Sequence, residues 1–207
     1  MKITYIELVG VPASGKTTKA LKLIKDNEYL YPGRRSLKCD YKIQEISFLG
    51  LPKKINIFNL LVVLPEDIFF TLIFISYIRG SIKSKLLNTL SMLYLIQKSR
   101  SLSKSKINFI IDQGIQQFIL HLYFKDEISI KNAKKLSAEI SQKKWSAEKY
   151  IFLTCSFEEM QFRISRSKKH IQNLSNENIL QYCERYLKAF KKLNLEKGLK
   201  NKLQNNF

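Results

Sequence analysis

The chain is poor in the residues that build metal centres and disulfide frameworks. It has two histidines, His121 and His170, too few for a zinc site. Its three cysteines, Cys39, Cys155 and Cys183, show neither CxxC nor metal-like spacing. No secretory signal is read at the start, so the thiols are expected to be reduced and buried or inert, in a cytoplasmic protein. Acidic residues are scarce too. The 17 Asp and Glu stand against 36 Lys and Arg, a formal net charge of +19. Such a charge suits nucleic acid, an anionic membrane surface or phosphorylated small molecules. Here the basic residues are mostly lysine and spread along the whole chain, without a basic tail or block. The pattern favours a solvated surface, and aromatic residues are not interleaved as in a stacking platform, so no specific nucleic acid is expected as a partner.

An uninterrupted long hydrophobic run is also missing. The nearest case, "NLLVVLPEDIFFTLIFISYI" at 59–78, has the length of a bilayer span but is broken by Pro65, Glu66 and Asp67. A carboxylate at mid-bilayer costs roughly 2.5–3.5 kcal/mol on insertion scales. The expectation is a turn near Leu64, with Pro65 opening a helix apolar nearly all round and therefore buried. Peripheral contact with a membrane surface stays open as an alternative.

Glycine is rationed to seven positions, and two of them fall in "LVGVPASGKTTKA" at 8–20. The spacing Gly10-x-x-x-x-Gly15-Lys16-Thr17 is that of a phosphate-binding loop. Glycines let the backbone curl so that successive N–H groups face an anion, and the following helix adds its positive end. Gly10, Pro12, Ala13, Ser14, Gly15, Lys16, Thr17 and Thr18 form the candidate nucleotide-binding set. Lys16 would reach the β- and γ-phosphates of ATP, and the Thr17 hydroxyl would bind Mg²⁺. The flanks agree. "ITYIELV" at 3–9 is β-branched and aromatic, with one interior charge at Glu7, and reads as a buried strand. Ala20, Leu21 and Ile24 follow at helical spacing.

The chain of 207 residues suits one domain and is too short for two comfortable ones. Two further strands are expected at 106–112 and 149–154, as short apolar runs typical of parallel strands covered on both faces. Helical patterns occupy 16–26, 55–62, 67–79, 82–98, about 115–124, about 130–144, 157–168 and 176–196. A weaker strand falls near 37–43. Strands alternating with helices give an α/β protein with a mostly parallel sheet. Ser156-Phe157-Glu158-Glu159 matches a capping box, which makes Ser156 an N-cap.

Two more segments bear on chemistry. "INFIIDQG" ends its strand in Asp112, where an acid can hold Mg²⁺, or can instead cap the helical segment opening at Gly114. Gln113 follows, where hydrolytic ATPases commonly carry glutamate, and neither a D-x-x-G switch nor an N-K-x-D guanine reader is found. That pattern argues for transfer to an acceptor and against hydrolysis. In "FRISRSKKH", Arg163 and Arg166 lie three apart on an expected helix and share a face. They could supply cations to a transferring phosphoryl group, or could belong to a solvated basic face.

In order and spacing these pieces resemble the P-loop nucleoside and nucleotide kinases and their small-molecule kinase relatives, over about residues 3–26, 106–118 and 149–175. The resemblance implies a three-layer α/β fold, a helical insert at about 55–98 and a lid at about 163–175 closing over ATP. It also implies catalytic roles for Lys16, Asp112, Arg163 and Arg166, and Mg²⁺ held by Thr17 and Asp112 through the nucleotide. Gln113 departs from the arginine or glutamate of many members. The acceptor is open: a nucleoside, a nucleotide or a sugar-like metabolite, with Asp40 as a candidate base and Arg34 and Arg35 as candidate anion contacts. A non-catalytic ATP-binding protein and a polynucleotide kinase are the alternatives. After Gly198 only "LKNKLQNNF" remains, poor strand material, so the last sheet strand is expected to be short or missing. The edge this leaves would favour a homodimer or low stability.

Overall fold

The computed structural model describes residues 5–27, 65–103, 109–111, 113–166 and 176–193. The described residues form, in order, β1 (Tyr5–Gly10), α1 (Lys16–Asn27), α2 (Pro65–Tyr77), α3 (Ile82–Ser103), β2 (Phe109–Ile111), α4 (Ile115–Phe124), α5 (Ile130–Ser141), β3 (Lys149–Leu153), α6 (Phe157–Ser165) and α7 (Asn176–Leu193). The three strands pair in parallel in the order β2-β1-β3. Register runs from Tyr5 opposite Phe109 on one side to Gly10 opposite Leu153 on the other. All the carboxyl ends point the same way, and β1 lies in the middle. A chain that leaves β1, pairs β2 on one side and then β3 on the other creates a crevice above the centre of the sheet, where α/β proteins place ligands.

Every residue of β1 is buried, which explains its near-continuous apolar run. Its alternating side chains split between two layers. Ile6 and Leu8 pack with Ala20 and Leu23 of α1 on one face. Val9, with Val11 just beyond the strand, joins the large core built from α2 to α7 on the other. Helices thus cover both faces of a parallel sheet, the α/β layering expected from the sequence.

Within the described residues, the strands expected at 3–9, 106–112 and 149–154 and the helices expected at 16–26, 67–79 and from 82 onward match in type and place. α3 runs further than expected, to Ser103, while α5 and α6 stop about three residues early. One expectation is corrected. α2 is not buried all round: Phe74 and Ile78 face the core, but Leu72 is 61 % exposed. The physical reason is one-sided packing. Phe70, Phe74 and Ile78 recur every four residues and face α3 and α5, and the described residues offer nothing to the opposite side. The expected helix at 55–62, the strand near 37–43, Cys39 and the tail after Gly198 lie outside the described residues.

Candidate phosphate-binding site

β1 ends at Gly10, and the chain turns at once. Ser14 donates its N–H to the Val11 carbonyl at 3.3 Å, and α1 begins at Lys16, with Lys19 bonded to Gly15 O at 2.8 Å. Between them the backbone enters the left-handed region twice, at Ala13 (φ +59°) and Gly15 (φ +83°). A positive φ at alanine is uncommon and costly outside turns and functional loops, so the curl is imposed by its surroundings. Gly10 answers to space. A Cβ there would lie 2.1 Å from the Leu153 carbonyl oxygen across the parallel pair. The loop therefore leaves the sheet pressed against β3.

The loop is strongly cationic. Lys16 folds back over its start, donating from Nζ to the Gly10 and Val11 carbonyls at 2.9 and 2.8 Å. α1 carries no acidic residue in its first turn, so no carboxylate competes for the positive end of the helix. Pro12 and Thr17 are half-buried and Thr18 is exposed, while the Ser14 hydroxyl is buried with no hydrogen-bond partner.

Across the crevice, α6 brings Arg163. Its Nη1 donates to the Ala13 carbonyl at 2.8 Å, and its Nη2 pairs with Glu159 one turn back. Ser156 caps α6 as expected, accepting the Glu159 N–H at 3.1 Å. The Glu159 carboxylate turns to the arginine instead of closing the box. Arg166 is not brought to the loop. The helix ends at Ser165, Arg166 is its C-cap, and the guanidinium lies 4.2 Å over the Phe162 ring. Cys155, at the end of the β3 turn, is half-buried; burial pushes its thiol up, and Arg163 and Lys16 pull against that. Asp112, Asp40, Arg34, Arg35 and residues 167–175 of the expected lid lie outside the described residues.

Beneath the loop is a buried polar junction that the sequence reading missed. Glu7 is 2 % exposed, yet its Oε1 accepts the N–H groups of Gln116 at 2.7 Å and Gln117 at 3.1 Å. It thereby caps α4, whose N-cap is Gly114 with no side-chain cap of its own. Capping of this helix thus comes from a carboxylate more than a hundred residues away. Burial raises the Glu7 carboxyl from 4.5 to about 7, against the opposing pull of those N–H donors. Gly114 makes room for it: a Cβ there would sit 2.3 Å from Glu7 Cδ. The Gln117 side chain then reaches up, its Oε1 accepting the Gly10 N–H at 2.9 Å. The lone charge inside an apolar strand was the visible signal for Glu7. Gln117 gave none, because its partner is distant in sequence.

Among the described residues, no cluster of three His, Cys, Asp or Glu side chains could hold a metal by itself, and no helix is long and apolar enough to cross a membrane. What the site offers is N–H groups, an ammonium and a guanidinium around one curled loop, a set suited to an anion with several oxygens.

No family model matches the chain, and no curated protein does. Among solved structures, deoxyadenosine kinase from M. mycoides with bound dATP aligns over 98 % of this chain and 98 % of its own, at 12 % identity and a TM-score of 0.47. The structure of that enzyme with bound dCTP aligns over 98 % of this chain and 100 % of its own, at 14 % identity and 0.41. A third, with dCMP and dCDP bound, gives 12 % identity and 0.46 over the same shares.

Proposed function

We propose that this protein is an ATP-dependent phosphotransferase that moves the γ-phosphoryl group of Mg-ATP to a hydroxyl or phosphate of a small metabolite. One observation carries the reading: a curled loop between a central parallel strand and a helix, with Lys16 folded over it from within and Arg163 set on its crest from the far side of the crevice. The loop and the start of α1 would take the β- and γ-phosphates through backbone N–H groups. Lys16 would pair with their oxygens, and Arg163 would stabilise charge on the transferring group. Arg166 would have to leave the Phe162 ring to join it.

A loop that reverses through two left-handed residues and is lined by cations fits a triphosphate. Mg²⁺ fits as well, since it is usually held by one or two protein oxygens together with phosphates, not by an all-protein cage. Thr17 at the start of α1, with Asp112 after β2, would hold it. When bound, Mg-ATP would supply the phosphoryl group and its leaving group. The chain's own part is to orient the phosphates, keep the loop rigid and hold positive charge where negative charge develops. The acceptor is a small molecule, and no nucleic acid is required.

The test is ATP consumption in the presence of pooled nucleosides, nucleotides and sugars. Consumption should rise with one acceptor class and require Mg²⁺. ATP binding without any acceptor-dependent turnover, across all pools, would refute the phosphotransferase reading and leave a nucleotide-binding protein.

A further inference from the structure

We propose that Gln117 is a positioning residue for the phosphate loop, acting through the first amide of that loop; the proposal rests on the nucleotide-site reading above. β3 accompanies β1 up to Gly10, but β2, whose Ile111 is in register with Glu7, has given way to a bend by Gln113. Along its last residues β1 therefore has a strand partner on one side only, among the described residues. A buried N–H there still requires an acceptor. The Gln117 side chain provides it, taking the place a longer β2 would have filled, with Oε1 2.9 Å from Gly10 N.

Gln117 is itself held from three directions. It is buried at 4 % exposure. Its backbone N–H donates to Glu7 Oε1 at 3.1 Å, and its Nε2 donates to the Tyr186 hydroxyl of α7 at 3.4 Å. The amide orientation follows from this. Gly10 N–H can only donate, so the oxygen must face it, and the nitrogen is left for a hydroxyl that can accept. Glu7 and Gly10 belong to the same strand, so strand, helix and loop close into one hydrogen-bonded ring. On the other side of Gly10, its carbonyl accepts Lys16 Nζ at 2.9 Å. Both peptide groups at the point where the loop leaves the sheet are thus fixed, one by Gln117 and one by Lys16. A loop that binds phosphate with backbone N–H groups depends on where it starts, because each N–H must be aimed before the ligand arrives. Gln117 is buried beneath the loop, and its contribution is to hold that start.

The experiment titrates a fluorescent ATP analogue into the full chain and its variants, with inorganic tripolyphosphate as competitor. Gln117→Met keeps length and apolar volume and removes the acceptor. Binding of the analogue and of tripolyphosphate should both weaken about tenfold, the scale of one lost 1.4 kcal/mol interaction. Amide hydrogen exchange at Gly10 should accelerate in the same variant. Tyr186→Phe removes the other end of the network but leaves the Gly10 anchor, so its affinities should stay within about twofold of wild type while its melting temperature falls. Lys16→Ala separates the two readings. If Lys16→Ala loses binding and Gln117→Met binds like wild type, the positioning role is overturned and the nucleotide site stands. If both bind like wild type, the site itself falls and the proposal with it. Should Gln117→Met fail to fold, exchange in the wild type decides. Protection of the Gly10 amide equal to that of the paired β1 amides upholds the anchor, and exchange at the rate of an open loop refutes it.

Discussion

Replacing Glu7 by glutamine tests the buried junction on which the loop rests. The Glu7 carboxyl is raised from 4.5 to about 7, first by burial, with the N–H groups of Gln117, Gln116 and Ile115 offsetting part of that. At about 1.4 kcal/mol per pKa step, the rise corresponds to about 3 kcal/mol between the two protonation states. The folded chain holds the proton more tightly than the unfolded one, so this stabilisation is complete below about pH 4.5 and is lost as pH rises through about 7. Glu7→Gln keeps an oxygen for the α4 amides and cannot ionise. Its unfolding free energy, minus that of wild type, should therefore grow by about 2–3 kcal/mol between pH 5 and pH 8.5. The difference is the right quantity for two reasons. Any cost of the new buried NH2 group is independent of pH and drops out. His121, lowered to about 4 by burial and by Lys125, makes folding less stable as pH falls below its ordinary value of 6.5. That opposite slope flattens the wild-type curve alone, but it is shared by both proteins and cancels. Tyr5 and Tyr150 lie against Glu7 and are raised above their ordinary value, so neither titrates in the window. Urea denaturation at a series of pH values measures the difference. A difference that is flat across the range, or that shrinks with pH, would show that Glu7 is not buried as a raised carboxyl.

The remaining expectations concern the loop and its surroundings. Lys16→Ala should weaken ATP binding by more than about tenfold and lower unfolding stability by only about 1–2 kcal/mol, from the lost bonds to Gly10 and Val11, as read by titration and urea denaturation. Gly114→Ala should destabilise by about 1–3 kcal/mol, because its methyl would meet a buried carboxyl at 2.3 Å; an unchanged midpoint would mean that α4 starts elsewhere. Arg163→Ala should lower kcat more than it raises KM for ATP, and Arg166→Ala should do so more weakly, because only Arg163 touches the loop. Equal effects in steady-state kinetics would mean that both arginines join the site.

Where local chemistry decides the structure, the sequence was readable. The strand, curled loop and helix of residues 5–27 were legible because glycine spacing, a β-branched run and helical periodicity all act within a few residues. Ser156 was legible for the same reason: an N-cap bonds only three residues ahead. The misses come from long range. The cap of α4 is Glu7, and no local rule connects positions 7 and 116. Leu72 looked like core because a helix apolar nearly all round gives no clue to which side will be covered. Arg163 and Arg166 looked like one face because both were placed inside a helix. The helix stops between them, so the three-residue spacing carries no shared direction beyond Ser165.

The cations at the loop are engaged by the loop's own carbonyls, and this determines what a phosphate must do. Lys16 donates to Gly10 and Val11, and Arg163 to Ala13. A phosphate oxygen therefore exchanges a neutral acceptor for an ionised one at donors that are already charged, and gains only the difference at each contact. For Arg163 the exchange is guided. With Nη2 paired to Glu159, a guanidinium whose Nη1 left the Ala13 carbonyl for a phosphate would turn about one fixed end. The pair is exposed, and such i,i+4 pairs on a helix contribute only about 0.3–0.5 kcal/mol. Its value to the site is orientation, and the effect of losing it should be small. Glu159→Gln is accordingly expected to lower kcat about twofold, between the effects of Arg166→Ala and Arg163→Ala. A loss in Glu159→Gln as large as that in Arg163→Ala would mean that the carboxylate itself acts in the reaction; a gain would mean that it holds the arginine back from the phosphate.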